Sequence, residues 1–189
     1  MDLRLNNKVV IVTGGFSSIG KAISIKLCEE GAIPCILDSD ATALRAFANE
    51  MDKKGYEVFA GQTGLDSGRV IKEIISRYRR INGVVNVAGH YSVVGLAIPS
   101  LKESTGAIVN ICSEDEDDPA DFVPVNGLRQ EMTIRWATAF SVLGIRVNGI
   151  VVQHCHTWQD ESEEIANMVL FLLSQKSRLV NGELVHVDG

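Results

Sequence analysis

Short, wholly apolar runs alternate along this chain with longer stretches whose apolar residues recur at helical spacing. Val9-Val10-Ile11-Val12 is broken by Gly14-Gly15, and a helical period starts near Ser18 and runs through Lys21 to Leu27. Four consecutive β-branched residues leave no polar face, as expected of a strand covered on both sides. The unit then repeats. Apolar strands are expected at 33–37, 56–60, 83–89, 107–112, 145–151 and 184–187, with helices at 41–54, 67–80, 123–143 and 161–174. Buried strands alternating with helices predict a parallel sheet between two helical layers. The expected fold is a three-layer, doubly wound α/β domain with strands ordered 3-2-1-4-5-6-7.

A chain of 189 residues, 46% of them hydrophobic, can bury one sizeable core. No repeat, linker or low-complexity segment divides it, so residues 1–189 are expected to form a single domain. A net charge of −6 and a pI near 5.2 argue against nucleic acid or an anionic membrane as the main partner. No apolar run approaches the roughly 18 residues of a spanning helix. Met1 to Lys8 lacks the apolar core of a signal peptide, and a cytoplasmic protein is expected. Cys28, Cys35, Cys112 and Cys155 are scattered without a CxxC pair, which reads as reduced, buried thiols.

A glycine turn between a buried strand and a helix start is where a pyrophosphate can sit. Unpaired amides and the positive end of the helix dipole face such a turn, and glycine lets the backbone approach an anion closely. An ordinary tight βα turn has the same composition, so the next unit has to separate the two readings. Asp38 closes the second strand eighteen positions beyond Gly20, about where a strand-end carboxylate meets a ribose 2′-hydroxyl. Alone it would read equally as a turn or N-cap aspartate. Glycine turn, helix, strand and acid in this order support one another and predict a Rossmann-type dinucleotide domain. Asp38 would repel a 2′-phosphate, and no arginine or lysine stands within the turn, so NAD is expected in preference to NADP.

Thr13-Gly14-Gly15-Phe16-Ser17-Ser18-Ile19-Gly20 resembles the TGxxxGxG turn of the short-chain dehydrogenase/reductase family. Asn86-Val87-Ala88-Gly89 resembles its NNAG, and Ala107 to Ser113 the strand that leads to its catalytic serine. Gly144 to Asn148, Glu163 to Ala166 with Phe171 to Ser174, and Asn181-Gly182 with Val187 to Gly189 continue the likeness in family order over nearly the whole chain. Met1 to Gly15 and Ala32-Ile33-Pro34 are similar to sugar dehydrogenases of the L-fucose type. The resemblance implies an NAD-linked oxidoreductase acting on a small alcohol, sugar or keto compound. It implies cofactor contacts from Gly14, Ser17, Ser18, Ile19, Gly20, Asp38, Asp66, Asn86, Ala88, Gly89 and Thr157. Pairing of copies into a homodimer or homotetramer through the helices beside the active site is implied as well.

The departures from the family pattern bear directly on turnover. Its catalysis uses a tyrosine that exchanges the substrate proton, a lysine four residues later, a serine that orients the carbonyl, and an asparagine on a preceding helix. Counting back from Gly144 to Asn148 without a gap puts Phe122 at the tyrosine position and Asn126 at the lysine position. A phenyl ring has no proton to exchange and a neutral amide supplies no cationic field. Tyr91 has Gly95, not lysine, four residues later. Ser113 keeps the serine position, although a polar cap on a buried strand would look the same. Ser18 replaces the central glycine of the turn, and its Cβ and hydroxyl intrude where the pyrophosphate comes closest.

The crossover at 90–106 has seventeen residues interrupted by Gly95 and Pro99, and its helix is expected to be reduced or missing. The substrate lid is cut to about 157–160. Two readings follow: an oxidoreductase that is weakly active or inactive, or a non-catalytic relative that binds a dinucleotide or a partner protein. Three further features suggest metal or partner chemistry. Glu114 to Asp118 offers carboxylates to a hard cation but without spaced ligands, and reads as a solvated acidic loop. His154-Cys155-His156 could present two imidazoles on one side, yet no further ligand completes four-coordination, and no metal is expected. Met132, Trp136 and Phe140 fit either a dimer patch or the core.

Overall fold

The computed structural model describes residues 2–64, 67–87, 91–113, 126–152 and 162–187, with the backbone alone at Ser113, Asn126 and Gly127. The first half runs β1 (Val9–Thr13), α1 (Ser18–Glu29), β2 (Ile33–Asp38), α2 (Ala41–Lys53), β3 (Phe59–Gln62), α3 (Ser67–Tyr78) and β4 (Gly83–Asn86). The second half runs α4 (Tyr91–Ser104), β5 (Ala107–Ser113), α5 (Asn126–Ser141), β6 (Arg146–Val152), α6 (Ser162–Leu173), a 3-10 turn (Gln175–Ser177) and β7 (Leu184–Val187). The seven strands form one parallel sheet in the order β3-β2-β1-β4-β5-β6-β7, as the apolar pattern predicts.

The sheet is covered on both sides. Ile19, Ile23 and Leu27 of α1 and Ile165, Val169 and Leu172 of α6 pack with Val10, Val12, Val85 and Val109. On the other face, Ile71 and Ile74 of α3, Val93 and Leu101 of α4 and Ala137 of α5 pack with Ile11, Val84, Ile108 and Val147. Trp136 and Phe140 lie partly buried against this second cluster.

Two expectations are corrected. β3 begins three residues later than the apolar run at 56–60, because Tyr56 and Val58 pack with Phe16, Ile25 and Phe47 outside the ladder. Pairing with β2 starts only at Phe59, opposite Cys35. The crossover at 90–106, expected to have a reduced or missing helix, carries the 14-residue α4. Gly95 and Pro99 both lie inside it. A proline ring crowds the carbonyl four residues earlier, which here belongs to Gly95, the residue type that yields most easily. Space is saved in the connection: Thr105 adopts a left-handed φ of 47° and, with Gly106, turns the chain directly into β5.

Arg146, at the start of β6, anchors the far end of α6. Its guanidinium donates to the carbonyls of Leu172 at 2.9 Å, Leu173 at 3.4 Å, Ser174 at 3.1 Å and Ser177 at 3.2 Å. These are the carbonyls that a helix end leaves without partners. Burial holds this guanidinium's pKa below its ordinary value.

Candidate functional site

Strand order reverses between β1 and β4, and in open α/β sheets the crevice beyond the strand ends at such a point is where ligands bind. Four residues of the sequence motifs close adjacent strands at this edge: Asp38 on β2, Thr13 on β1, Asn86 on β4 and Ser113 on β5. The parallel register brings them level without any specific contact between their side chains being required.

The turn after β1 is built from its own side chains. Gly14 takes a φ of 62°, in the region that favours glycine. Ser17 caps α1: its hydroxyl donates to the Gly14 carbonyl at 2.8 Å and accepts from the Gly20 amide at 3.0 Å. With the Gly20 amide taken, the amides of Ser18 and Ile19 are the first-turn donors without an intrahelical acceptor. Gly20 is required by packing. A Cβ there would lie 2.4 Å from the Gly14 carbonyl oxygen and 2.8 Å from Gly15 Cα, both backbone atoms. A Cβ on Gly15 would lie 2.1 Å from Ile36 Cγ2, so the turn also sits tightly on β2.

Asp38 joins the two units. Its Oδ2 accepts from the Phe16 amide at 3.0 Å, while Oδ1 accepts from the amides of Ser39 at 2.7 Å and Asp40 at 3.3 Å. The turn role and the ribose role are therefore compatible, since each carboxylate oxygen has more than one acceptor site. Asp38 is half-buried and braced on the turn. Lys21 places its ammonium 3.6 Å above the Phe16 ring, which covers the outer side of the turn.

A polar ladder crosses the sheet beneath this edge. Thr13, Asn86 and Asn110 stand in register on β1, β4 and β5. The Thr13 hydroxyl donates to Asn86 Oδ1 at 3.4 Å, Asn86 Nδ2 donates to Asn110 Oδ1 at 3.0 Å, and Asn110 Nδ2 donates to Thr133 Oγ1 on α5 at 2.8 Å. Thr133 donates in turn to the Arg129 carbonyl at 2.8 Å. All four residues are buried. Asn86, expected among the cofactor contacts, has its side-chain amide engaged in this ladder. Asn110 and Thr133 were not singled out from the sequence. The usable signal was a polar residue at the same register position of three neighbouring apolar strands.

Cys112 lies beside the ladder, with its thiol pKa pushed up to about 11 by burial against the opposing pull of Arg129 and a hydrogen bond with Thr133. Cys28, Cys35 and Cys112 are all buried and unpaired, as expected. Asp66, Ala88, Gly89, Phe122, Thr157, Glu114 to Asp118 and His154-Cys155-His156 lie outside the described residues. Asn126 is the first residue of α5. Tyr91, at the start of α4, packs edge-to-face on Trp136 with ring centroids 5.8 Å apart. Among the described residues no three His, Cys, Asp or Glu side chains are grouped so as to hold a metal, and no helix is long and apolar enough to cross a membrane.

The family model for short chain dehydrogenases matches residues 8–96. L-fucose dehydrogenase of Rattus norvegicus is 30% identical, over 83% of this chain and 70% of the relative. The 3-oxoacyl-[acyl-carrier-protein] reductase of Thermotoga maritima is 24% identical over 99% of this chain and 98% of the relative. That alignment extends over 242 positions, more than the 189 residues of this chain, so it contains gaps opposite the relative. Among solved structures, NAD+-bound xylitol dehydrogenase superposes with a TM-score of 0.83 at 19% identity, covering 97% of this chain and 98% of that one.

Proposed function

The chain belongs to the short-chain dehydrogenase family, and on that premise we propose that it is an NAD-binding oxidoreductase relative whose hydride-transfer activity is weak or absent. The observation that carries the cofactor half is the Asp38 carboxylate at the end of β2, braced on the Phe16 amide beside the open amides of Ser18 and Ile19. The amides would hold a pyrophosphate and the carboxylate a ribose diol, so the residues present fit the group. A 2′-phosphate beside Asp38 would be repelled, which favours NAD over NADP. The solved NAD+-bound relative supports the same class of cofactor. Bound, a nicotinamide supplies the hydride acceptor or donor of the family's alcohol and carbonyl chemistry.

The substrate half lacks the partners of that chemistry. Phe122 stands where the proton-exchanging tyrosine belongs and Asn126 where the lysine belongs, leaving Ser113 as the one retained position. Neither replacement can move a proton to a developing alkoxide or stabilise it by charge. The same loss favours the second reading, a non-catalytic relative that binds a dinucleotide or a partner protein. Three buried, unpaired thiols fit a cytoplasmic setting. Exposed Leu96 on α4 and Leu128 and Ile134 on α5 fit assembly into a homodimer or homotetramer.

Calorimetric titration with NAD, NADH, NADP and NADPH tests the cofactor reading. The unphosphorylated pair should bind more tightly, and Asp38→Ala should erase the difference. A preference for NADP, or one that survives in Asp38→Ala, would refute the role of Asp38. For the catalytic reading, Phe122→Tyr with Asn126→Lys should leave nicotinamide turnover on alcohols and sugars undetectable, because the shortened lid is not repaired. Turnover by this double variant would show that only the two side chains had been lost.

A further inference from the structure

At the N-terminal edge of the sheet, opposite the glycine turn, a recess of about 360 Å³ is lined by Leu3, Arg4, Gln175, Lys176 and Arg178. Three of these five residues are cationic and none is acidic, in a chain of net charge −6. Two neighbouring hollows, each sharing lining residues with the recess, add Lys8 and Arg146 and again no carboxylate.

Helix C-termini collect at this edge of a parallel α/β fold, and their negative dipole ends ordinarily account for nearby cations. At α6 that role is filled by Arg146, whose guanidinium meets the terminal carbonyls directly. Arg4 makes only a 3.9 Å contact with Asp2, between two largely exposed side chains. Lys176 and Arg178 form no ion pair among the described residues. Arg4 also holds a left-handed φ of 56°, uncommon for a residue other than glycine. Three like charges around one recess repel each other unless an anion joins them.

We infer that this recess binds a small multivalent anion of the phosphate class. It is separate from the glycine turn, because β1 runs between the two edges and sets them about 15–20 Å apart. The inference does not depend on the dinucleotide reading.

Pyrophosphate is the probe, titrated at constant ionic strength into the full chain and followed by amide NMR shifts and calorimetry. Saturable shifts at Arg4, Gln175, Lys176 and Arg178 are expected, unchanged by saturating NAD. Lys176→Glu with Arg178→Glu should weaken pyrophosphate at least tenfold while leaving the thermal midpoint and NAD affinity unchanged, since both side chains are exposed. Shifts confined to Ser18 and Ile19 would overturn the inference, as would shifts reproduced by sodium chloride or equal affinity in the charge-reversed variant. Binding to phosphatidylserine vesicles that pyrophosphate does not displace would overturn it in favour of a membrane-facing surface.

Discussion

Asn110→Leu is the sharpest test of the ladder beneath the site. Asn110 is 2% exposed and makes two side-chain hydrogen bonds, accepting from Asn86 Nδ2 at 3.0 Å and donating to Thr133 Oγ1 at 2.8 Å. Leucine keeps the branching of the side chain but can make neither bond. The Asn86 amide is then left with a buried donor lacking an acceptor, at about 1–3 kcal/mol. Thr133 loses less, because its hydroxyl still donates to the Arg129 carbonyl. Methyl groups at hydrogen-bond distance also crowd their neighbours, since carbon contacts are optimal at about 3.5–4.0 Å. The sum is a loss of about 2–4 kcal/mol, offset in small part by the added apolar burial. Urea unfolding followed by circular dichroism should read this as a lower midpoint with an unchanged slope. Asn86→Leu alone should behave similarly, and the double variant should lose about 1–2 kcal/mol less than the sum of the singles. Strict additivity, or a single-variant loss below about 0.5 kcal/mol, would refute a coupled ladder.

Two further outcomes are expected. Gly20→Ala drives a Cβ to 2.4 Å from the Gly14 carbonyl oxygen, where only backbone can give way, so α1 must lift off the turn. NAD affinity by calorimetry should fall at least tenfold, with about 1–3 kcal/mol of stability lost; an unchanged affinity would show that the turn does not hold the cofactor. The buried thiols predict alkaline destabilisation. Burial pushes Cys28 up to about 12 and Cys112 up to about 11 from an ordinary 9.0, and raises Cys35 too, so above about pH 9 the unfolded chain loses protons that the folded chain keeps. Stability should therefore decline as pH rises from about 9 towards 11, and replacing the three cysteines by alanine should flatten the decline. An equally steep decline in the triple variant would exclude the thiols as its source.

The sheet was readable because parallel strands buried on both faces write themselves as unbroken apolar runs, and the order followed from right-handed crossovers and the glycine turn. Reading failed where apolar residues served a different surface. Tyr56 and Val58 looked like strand and proved to cover the helices on the outer side of β2. In α4, glycine and proline looked like interruptions because each disfavours a helix singly. Four residues apart, they form a pair in which the glycine accommodates the ring of the proline. Length also misled, since a crossover of seventeen residues leaves room for a full helix when its exit needs only Thr105 and Gly106.

The motifs that identify the family testify unequally about its chemistry. Gly15 and Gly20 are held by contacts with Ile36 and Gly14, and Ser17 by its cap on α1; Asn86 is held by the ladder, and Asp38 by the Phe16 amide. Each has a reason to persist that is independent of turnover. A chain can therefore keep the family's turn, strand ends and polar ladder intact for folding alone. The positions that speak to turnover are those with no such structural employment in the sheet, and two of them are Phe122 and Asn126. Recognisable ancestry and doubtful catalysis are thus consistent: the first is written in residues that pack the Rossmann half, the second in residues that only chemistry requires.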